Sequence, residues 1–111
     1  MAQKELISNQ MLTELVVESH TKPQVIFKHS TRCYISVRIL KNTLNCFEND
    51  TADWYVLDLI AYRSISNDIE KMLKITHQSP QIIVINNGVV TYDASHEQIQ
   101  SERILANLKA K

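Results

Sequence analysis

The 111-residue chain is short of the residues that bend, staple or charge a protein. Gly88 is its single glycine, and Pro23 and Pro80 are its two prolines, so it holds few flexible hinges. Its two cysteines, Cys33 and Cys46, are too few for a disulfide framework or a zinc ribbon. Its four histidines show no metal-ligand spacing, and no metal site is expected. Charge of one sign is lacking too, since 12 Lys and Arg balance 12 Asp and Glu. Without a broad basic face, nucleic acid and anionic membrane surfaces are poor partners. No apolar run is long enough to span a bilayer. The opening MAQKELISNQ carries no apolar signal core, so the expected compartment is the cytoplasm. In that reducing setting the two cysteines are not expected to pair.

What is present suits one domain over residues 1–111, which at this length buries roughly two-thirds of its unfolded surface. Residues 4–18, KELISNQMLTELVVE, place Leu6, Ile7, Met11, Leu12, Leu15 and Val16 near helical spacing. Pro23 then breaks the pattern, and QVIFK at 24–28 reads as a buried strand. Ser30 and Thr31 are candidate N-caps for a helix from about Cys33, with Ile35, Ile39, Leu40, Leu44 and Phe47 as its apolar side. WYVLDLI at 54–60 is nearly continuous in apolar residues, as a parallel strand covered on both faces would be. A helix follows over 65–75, with Ile65, Ile69, Met72 and Leu73 on one side. QIIVI at 81–85, the turn Asn87-Gly88 and VVTYD form a hairpin. Ser95 is placed to cap a last helix carrying Ile99, Ile104, Leu105 and Leu108. The order α-β-α-β-α-β-β-α predicts a four-stranded mixed sheet with helices on both faces.

The first strand runs straight into FKHSTRCYIS. In open α/β sheets, ligands bind outside the carboxyl ends of the strands, so Cys33 stands where chemistry is expected. A free thiol titrates near ~8.5 and reacts as the thiolate. At a helix N-terminus the anion meets the positive end of the macrodipole and unpaired N–H groups. Arg32 and Lys28 add positive charge if they point that way, and Ser36, one turn on, has a hydroxyl to donate. A second cysteine at 36 would resolve a mixed disulfide internally, and serine does not. Cys46 lies 13 residues beyond Cys33, roughly 20 Å along one helix. A disulfide needs Cα atoms within about 7 Å, so Cys46 reads as a small buried apolar filler.

The layout and these residues resemble the thioredoxin fold: a strand, Cys-x-x-Ser at a helix start, and a proline, Pro80, just before the hairpin. More narrowly, Lys28-His29-Ser30, Cys33, Ile35-Ser36, Ser79-Pro80 and NNGVVTYDASHEQI resemble the monothiol bacilliredoxin family over nearly the whole chain. That family usually has proline after the cysteine, where this chain has Tyr34. Tyr34 instead brings a backbone N–H and a ring that shapes what docks. The resemblance implies a thiol–disulfide oxidoreductase that strips a low-molecular-weight thiol, bacillithiol, from S-thiolated client proteins. It implies no bound cofactor, with the small thiol as co-substrate. Cys33 and Ser36 are then the catalytic candidates, and Arg32, Tyr34, Ser79 and Pro80 the substrate-binding ones. The Ser79–Pro80 bond would be cis, with the backbone of Ser79 meeting an extended client.

Plainer readings stand beside these. Lys28, His29 and Thr31 tune the thiol, or His29 simply holds a loop. Trp54 and Tyr55 suit core or edge packing, and Asp58 suits a strand-end residue better than a buried acid beside the thiol. The whole domain could also be a non-catalytic peptide-binding or redox-sensing module of the same fold. Exposure of Cys33 separates the two, because a buried thiol favours the binder.

Overall fold

The computed structural model describes residues 3–108. In chain order the elements are β1 (Gln3–Glu5), α1 (Asn9–Glu18), β2 (Gln24–His29), α2 (Tyr34–Thr43), β3 (Asp53–Asp58), α3 (Arg63–Leu73), β4 (Gln81–Asn86), β5 (Val89–Ser95) and α4 (Ser101–Ala106). Short 3-10 turns at Leu44–Glu48 and His96–Gln98 follow α2 and β5. The sheet has five strands in the order β1-β3-β2-β4-β5, not the expected four. β1, β3 and β2 run parallel, β4 is antiparallel to β2, and β5 returns from β4 as a hairpin.

The extra strand comes from the segment expected to be helical from residue 4. Gln3, Lys4 and Glu5 pair with Trp54, Tyr55 and Val56, and the N–H of Leu6 reaches the Val56 carbonyl at 2.9 Å. The helix waits for Ser8, whose extended backbone and hydroxyl cap α1 by accepting the Met11 N–H at 3.1 Å. Leu6 is buried, but from the strand side of that cap.

β2 is the central strand, buried at every position. Its side chains alternate between two separate cores. Val25 and Phe27 pack with Ile39, Phe47, Trp54 and Ile104, on the face covered by α2 and α4. Ile26 packs with Leu12, Leu15, Leu57, Ile65 and Ile69, under α1 and α3. Coverage on both faces is why these strands read as unbroken apolar runs. Trp54 and Tyr55 are core residues, Trp54 stacking on Phe47 with centroids 5.1 Å apart. Its indole N–H donates to the Asn49 carbonyl at 2.7 Å.

The hairpin turn needs positive φ at both central residues, and Asn87 (53°) and Gly88 (81°) supply it. Ser19 clamps this turn, its carbonyl accepting the Asn87 N–H at 2.9 Å and its hydroxyl the Gly88 N–H at 2.8 Å. Among the described residues no helix is long and apolar enough to cross a membrane.

Candidate active site

β2 ends at His29, and the loop from Ser30 delivers the chain into α2. The residue that caps α2 is Cys33 itself, not Ser30 or Thr31. The Cys33 N–H turns back to the Ser30 carbonyl at 3.1 Å, a turn that holds the two expected caps short of the helix. Cys33 keeps extended backbone angles, and its carbonyl accepts the Val37 N–H at 3.0 Å. Cys33 thus occupies the cap position ahead of the first amides of α2, which have no partner within the helix, and its side chain makes no cap hydrogen bond to them. Cys33 is half-buried, and Tyr34 beside it is 79% exposed. Thr31 and Arg32 are exposed in the loop. Ile35 and Val37 are exposed as well. Ile35 and Leu44 do not join the core as the spacing suggested, because the phase set at Cys33 turns Ser36, Ile39 and Thr43 to the sheet.

Ser36 is fully buried. Its hydroxyl oxygen accepts the Ser30 N–H at 3.0 Å and lies 2.7 Å from Nδ1 of His29. These contacts tie the first turn of α2 to the end of β2 and to the loop between them. The expected hydroxyl-to-sulfur contact is thus not the one the hydroxyl makes: its partners are His29 and Ser30. His29 is 8% exposed. Burial pushes its pKa below the ordinary imidazole value, and the charge of Asp58 on β3 offsets part of that. Asp58 itself is a strand-end residue whose Oδ1 accepts the N–H groups of Ile60 and Ala61, shaping the turn toward α3.

Lys28 does not face the thiol. Alternation along β2 sends it to the α1/α3 face, opposite His29 and Ser36. There its Nζ lies 2.6 Å from Nδ1 of His77. Burial pushes its pKa down to about 8, with the Glu70 carboxylate partly compensating. His77 belongs to the loop between α3 and β4, the loop that carries Ser79 and Pro80. The Gln81 side chain braces the same loop, donating to the Thr76 carbonyl at 3.1 Å and accepting the Gln78 N–H at 3.3 Å. The His77 N–H donates to Glu70 at 3.2 Å. Neither His77 nor Gln81 was singled out from the sequence. A glutamine opening an otherwise apolar buried strand was the one available signal.

Because β2 and β4 are antiparallel with Lys28 opposite Gln81, the end of β2 and the start of β4 lie at the same edge of the sheet. Ser79 and Pro80 are therefore brought to the end of the sheet where Cys33 stands. The Ser79–Pro80 bond is cis. Pro80 is buried, its carbonyl accepting the His96 N–H at 3.1 Å, and the Ser79 hydroxyl is buried without a partner. Cys46 is buried in the 3-10 turn beyond the far end of α2, where burial raises its pKa. α2 alone is roughly 15 Å long at ~1.5 Å per residue, so the two sulfurs occupy different regions.

The sequence profile described as monothiol bacilliredoxin BrxC matches residues 4–104. The chain belongs to the monothiol bacilliredoxin family. Solved structures agree on the fold. A protein described as having a thioredoxin fold superimposes with a TM-score of 0.84 at 24% identity, covering 97% of this chain and 95% of its own. A thioredoxin from Schistosoma mansoni gives 0.72 at 18%, covering 96% and 92%. A poplar thioredoxin h gives 0.78 at 13% over the whole of both chains. In this family member, the fold is thioredoxin-like with one strand more than the sequence suggested.

Proposed function

We propose that the chain is a monothiol thiol–disulfide oxidoreductase that removes a low-molecular-weight thiol from S-thiolated proteins, with Cys33 as nucleophile. The observation that carries this is the pairing of a half-buried free cysteine at the start of α2 with a serine one turn on, buried and engaged elsewhere. Membership of the monothiol bacilliredoxin family supports it, and bacillithiol is the small thiol we propose.

The Cys33 thiolate attacks the sulfur of the small thiol in the client's mixed disulfide. A new S–S bond forms between Cys33 and the small thiol, and the client leaves as a thiolate that takes a proton from water. Two electrons thereby pass from Cys33 to the client cysteine. A second small thiol, as thiolate, then attacks the adduct. It forms the symmetrical small-molecule disulfide and returns Cys33 as a thiolate. Ser36 has no sulfur to intercept the adduct, and Cys46 is buried in another region, so the second step needs a thiol from solution. The reducing cytoplasm supplies one.

Tyr34, Ile35 and Val37 are exposed apolar side chains on the first turn of α2, next to Cys33 in the chain. Ser79 and Pro80 border the same end of the sheet, and Arg32 adds positive charge at the loop. These are the surfaces for the client chain and for an anionic small thiol.

The test is intact-mass spectrometry after mixing the protein with an S-bacillithiolated client. Wild type and Cys46→Ser should gain the mass of one small thiol as the client loses it, and Cys33→Ser should gain nothing. Equal loss in both variants would overturn the monothiol cycle. Client binding without any mass transfer would assign the fold to a peptide-binding module instead.

A further inference from the structure

Lys28 and His77 are an unequal pair. Lys28 is fully buried on the central strand, and His77 is exposed in the loop between α3 and β4. Among the described residues, Nζ of Lys28 has one hydrogen-bond partner, Nδ1 of His77 at 2.6 Å. Among those residues the same contact is the one side-chain hydrogen bond that joins this loop to β2. The other bonds of the loop run elsewhere. The His77 N–H goes to Glu70 on α3, and the Pro80 carbonyl to the His96 N–H. The Gln78 N–H and the Thr76 carbonyl go to the Gln81 side chain. We propose that His77 is a positioning residue for client docking: as a neutral ring it ties the Ser79–Pro80 loop to the buried Lys28, and a proton taken from solvent unties it. This rests on the reading of Ser79 and Pro80 as a surface for the client chain.

The pair has room for a limited number of protons. Below about 8 Lys28 is an ammonium, with three N–H groups and no lone pair. It bonds Nδ1 only while that nitrogen is bare, so the neutral ring carries its proton on Nε2. A second proton, on Nδ1, removes the acceptor and sets two cations against each other. The Ser66 hydroxyl on α3 lies 3.5 Å from the same nitrogen and has lone pairs to accept that proton. The protonated ring thus exchanges a partner on β2 for one on α3, and the loop loses its bond to the central strand. Above about 8 Lys28 is an amine that still has N–H groups to donate, so the tie holds there.

The charges around the ring set where the exchange falls. From β2 the ring faces Lys28, and from α3 Arg63 and Glu70, with the uncharged Ser66 between. Partial burial and then the Lys28 charge push its pKa below the ordinary imidazole value, Arg63 adds to them, and Glu70 opposes. The tie is therefore intact at neutral pH and lost on acidification. Because the ring is exposed, the proton arrives without the core opening. An uncharged side chain at 28 would fill the same space but would not repel the protonated ring, so the buried ammonium is what makes the tie reversible.

The test separates docking from chemistry. A full-length Cys33→Ser chain is titrated with a fluorescein-labelled peptide carrying one S-bacillithiolated cysteine, and anisotropy gives Kd. Nitrogen-15 NMR of the wild-type ring supplies the His77 midpoint. As pH falls through that midpoint, Kd should rise on the order of tenfold, the worth of one hydrogen bond to a charged group. His77→Gln keeps an amide oxygen to accept from Lys28 and does not titrate. On the same background it should bind tightly and lose the acid weakening. His77→Leu should bind weakly at both ends of the range. Acid weakening that persists in His77→Gln would overturn the proposal. So would a His77→Leu chain that binds at neutral pH as tightly as its parent. The NMR spectrum needs no variant that folds: a neutral wild-type ring with its proton on Nδ1 has no acceptor for Lys28, and would sink the tie. Intact mass of the wild type keeps this apart from the proposed activity. Transfer of the small thiol to Cys33 with no His77 effect on Kd would leave the oxidoreductase standing and end the inference. The His77 pattern in Kd without thiol transfer would do the reverse.

Discussion

Lys28 shows what the middle of a sheet does to a cation. It is fully buried on β2, and burial lowers its pKa from 10.5 to about 8 against a partial offset from Glu70. Between about 8 and 10.5 the unfolded chain holds a proton that the folded chain has released. Stability therefore rises with pH across that window, and the full penalty is in force below it. Lys28→Met keeps the length and removes the charge. It should raise stability at pH 7 on the order of 3 kcal/mol, and the difference from wild type should vanish above pH ~10.5. Urea midpoints at the two pH values measure this. A variant less stable than wild type at pH 7 would show that the 2.6 Å contact with His77 outweighs the cost of burying the ammonium. His77 and His29 add to the slope with the same sign. Burial is the largest cause of the lowered pKa in each, so acidification through the imidazole range costs further stability. In the sequence, Lys28 read as a charge that could serve the thiol. Its residue type was legible and its direction was not, because direction follows from strand register and a single sequence prints none.

The elements were legible to the degree that side chains mark them. β2, β3, β4 and β5 fall where the apolar runs and the Asn-Gly turn placed them. β1 did not announce itself, since an edge strand of Gln3, Lys4 and Glu5 pairs through its backbone and buries no apolar side chain. Leu6 and Ile7 then continued the helical spacing of α1 across a boundary that only the Ser8 cap marks. The last helix was misplaced in the same way. Ser95 makes no side-chain cap bond, and α4 begins at Ser101 after a 3-10 turn. α3 carries a feature no periodicity reveals: it ends on Lys74 in the left-handed region, φ 55°. That conformation costs an L-residue roughly 1–2 kcal/mol. Lys74→Gly removes the cost and adds unfolded-chain freedom worth about 0.5–1 kcal/mol. The net is a gain of about 0.5–1 kcal/mol, read as a small rise in Tm. A lower Tm would mean that the Lys74 side chain contributes more than its backbone costs.

At the scale of the molecule, the sheet is a wall between two apolar layers, and the candidate site lies where the ends of β2 and β4 meet the start of α2. That much was readable from the order of elements and the place of Cys33. The braces behind it were not. His77 and Gln81 hold the Ser79–Pro80 loop from the α1/α3 face, while His29 and Ser36 hold the Cys33 loop from the other. The pairings join residues as far apart as 28 and 77, and such contacts leave no trace in local pattern. The wall also sorts the two sulfurs by accessibility, Cys33 half-buried at the rim and Cys46 3% exposed inside. This gives the native chain a built-in clock. A maleimide dye should tag one position at once and the second only in molecules that open. The slow phase then times the opening of the α2/α4 layer, without any engineered probe. Added denaturant should merge the phases. Two fast tags in buffer alone would mean that this layer breathes far more often than its packing implies.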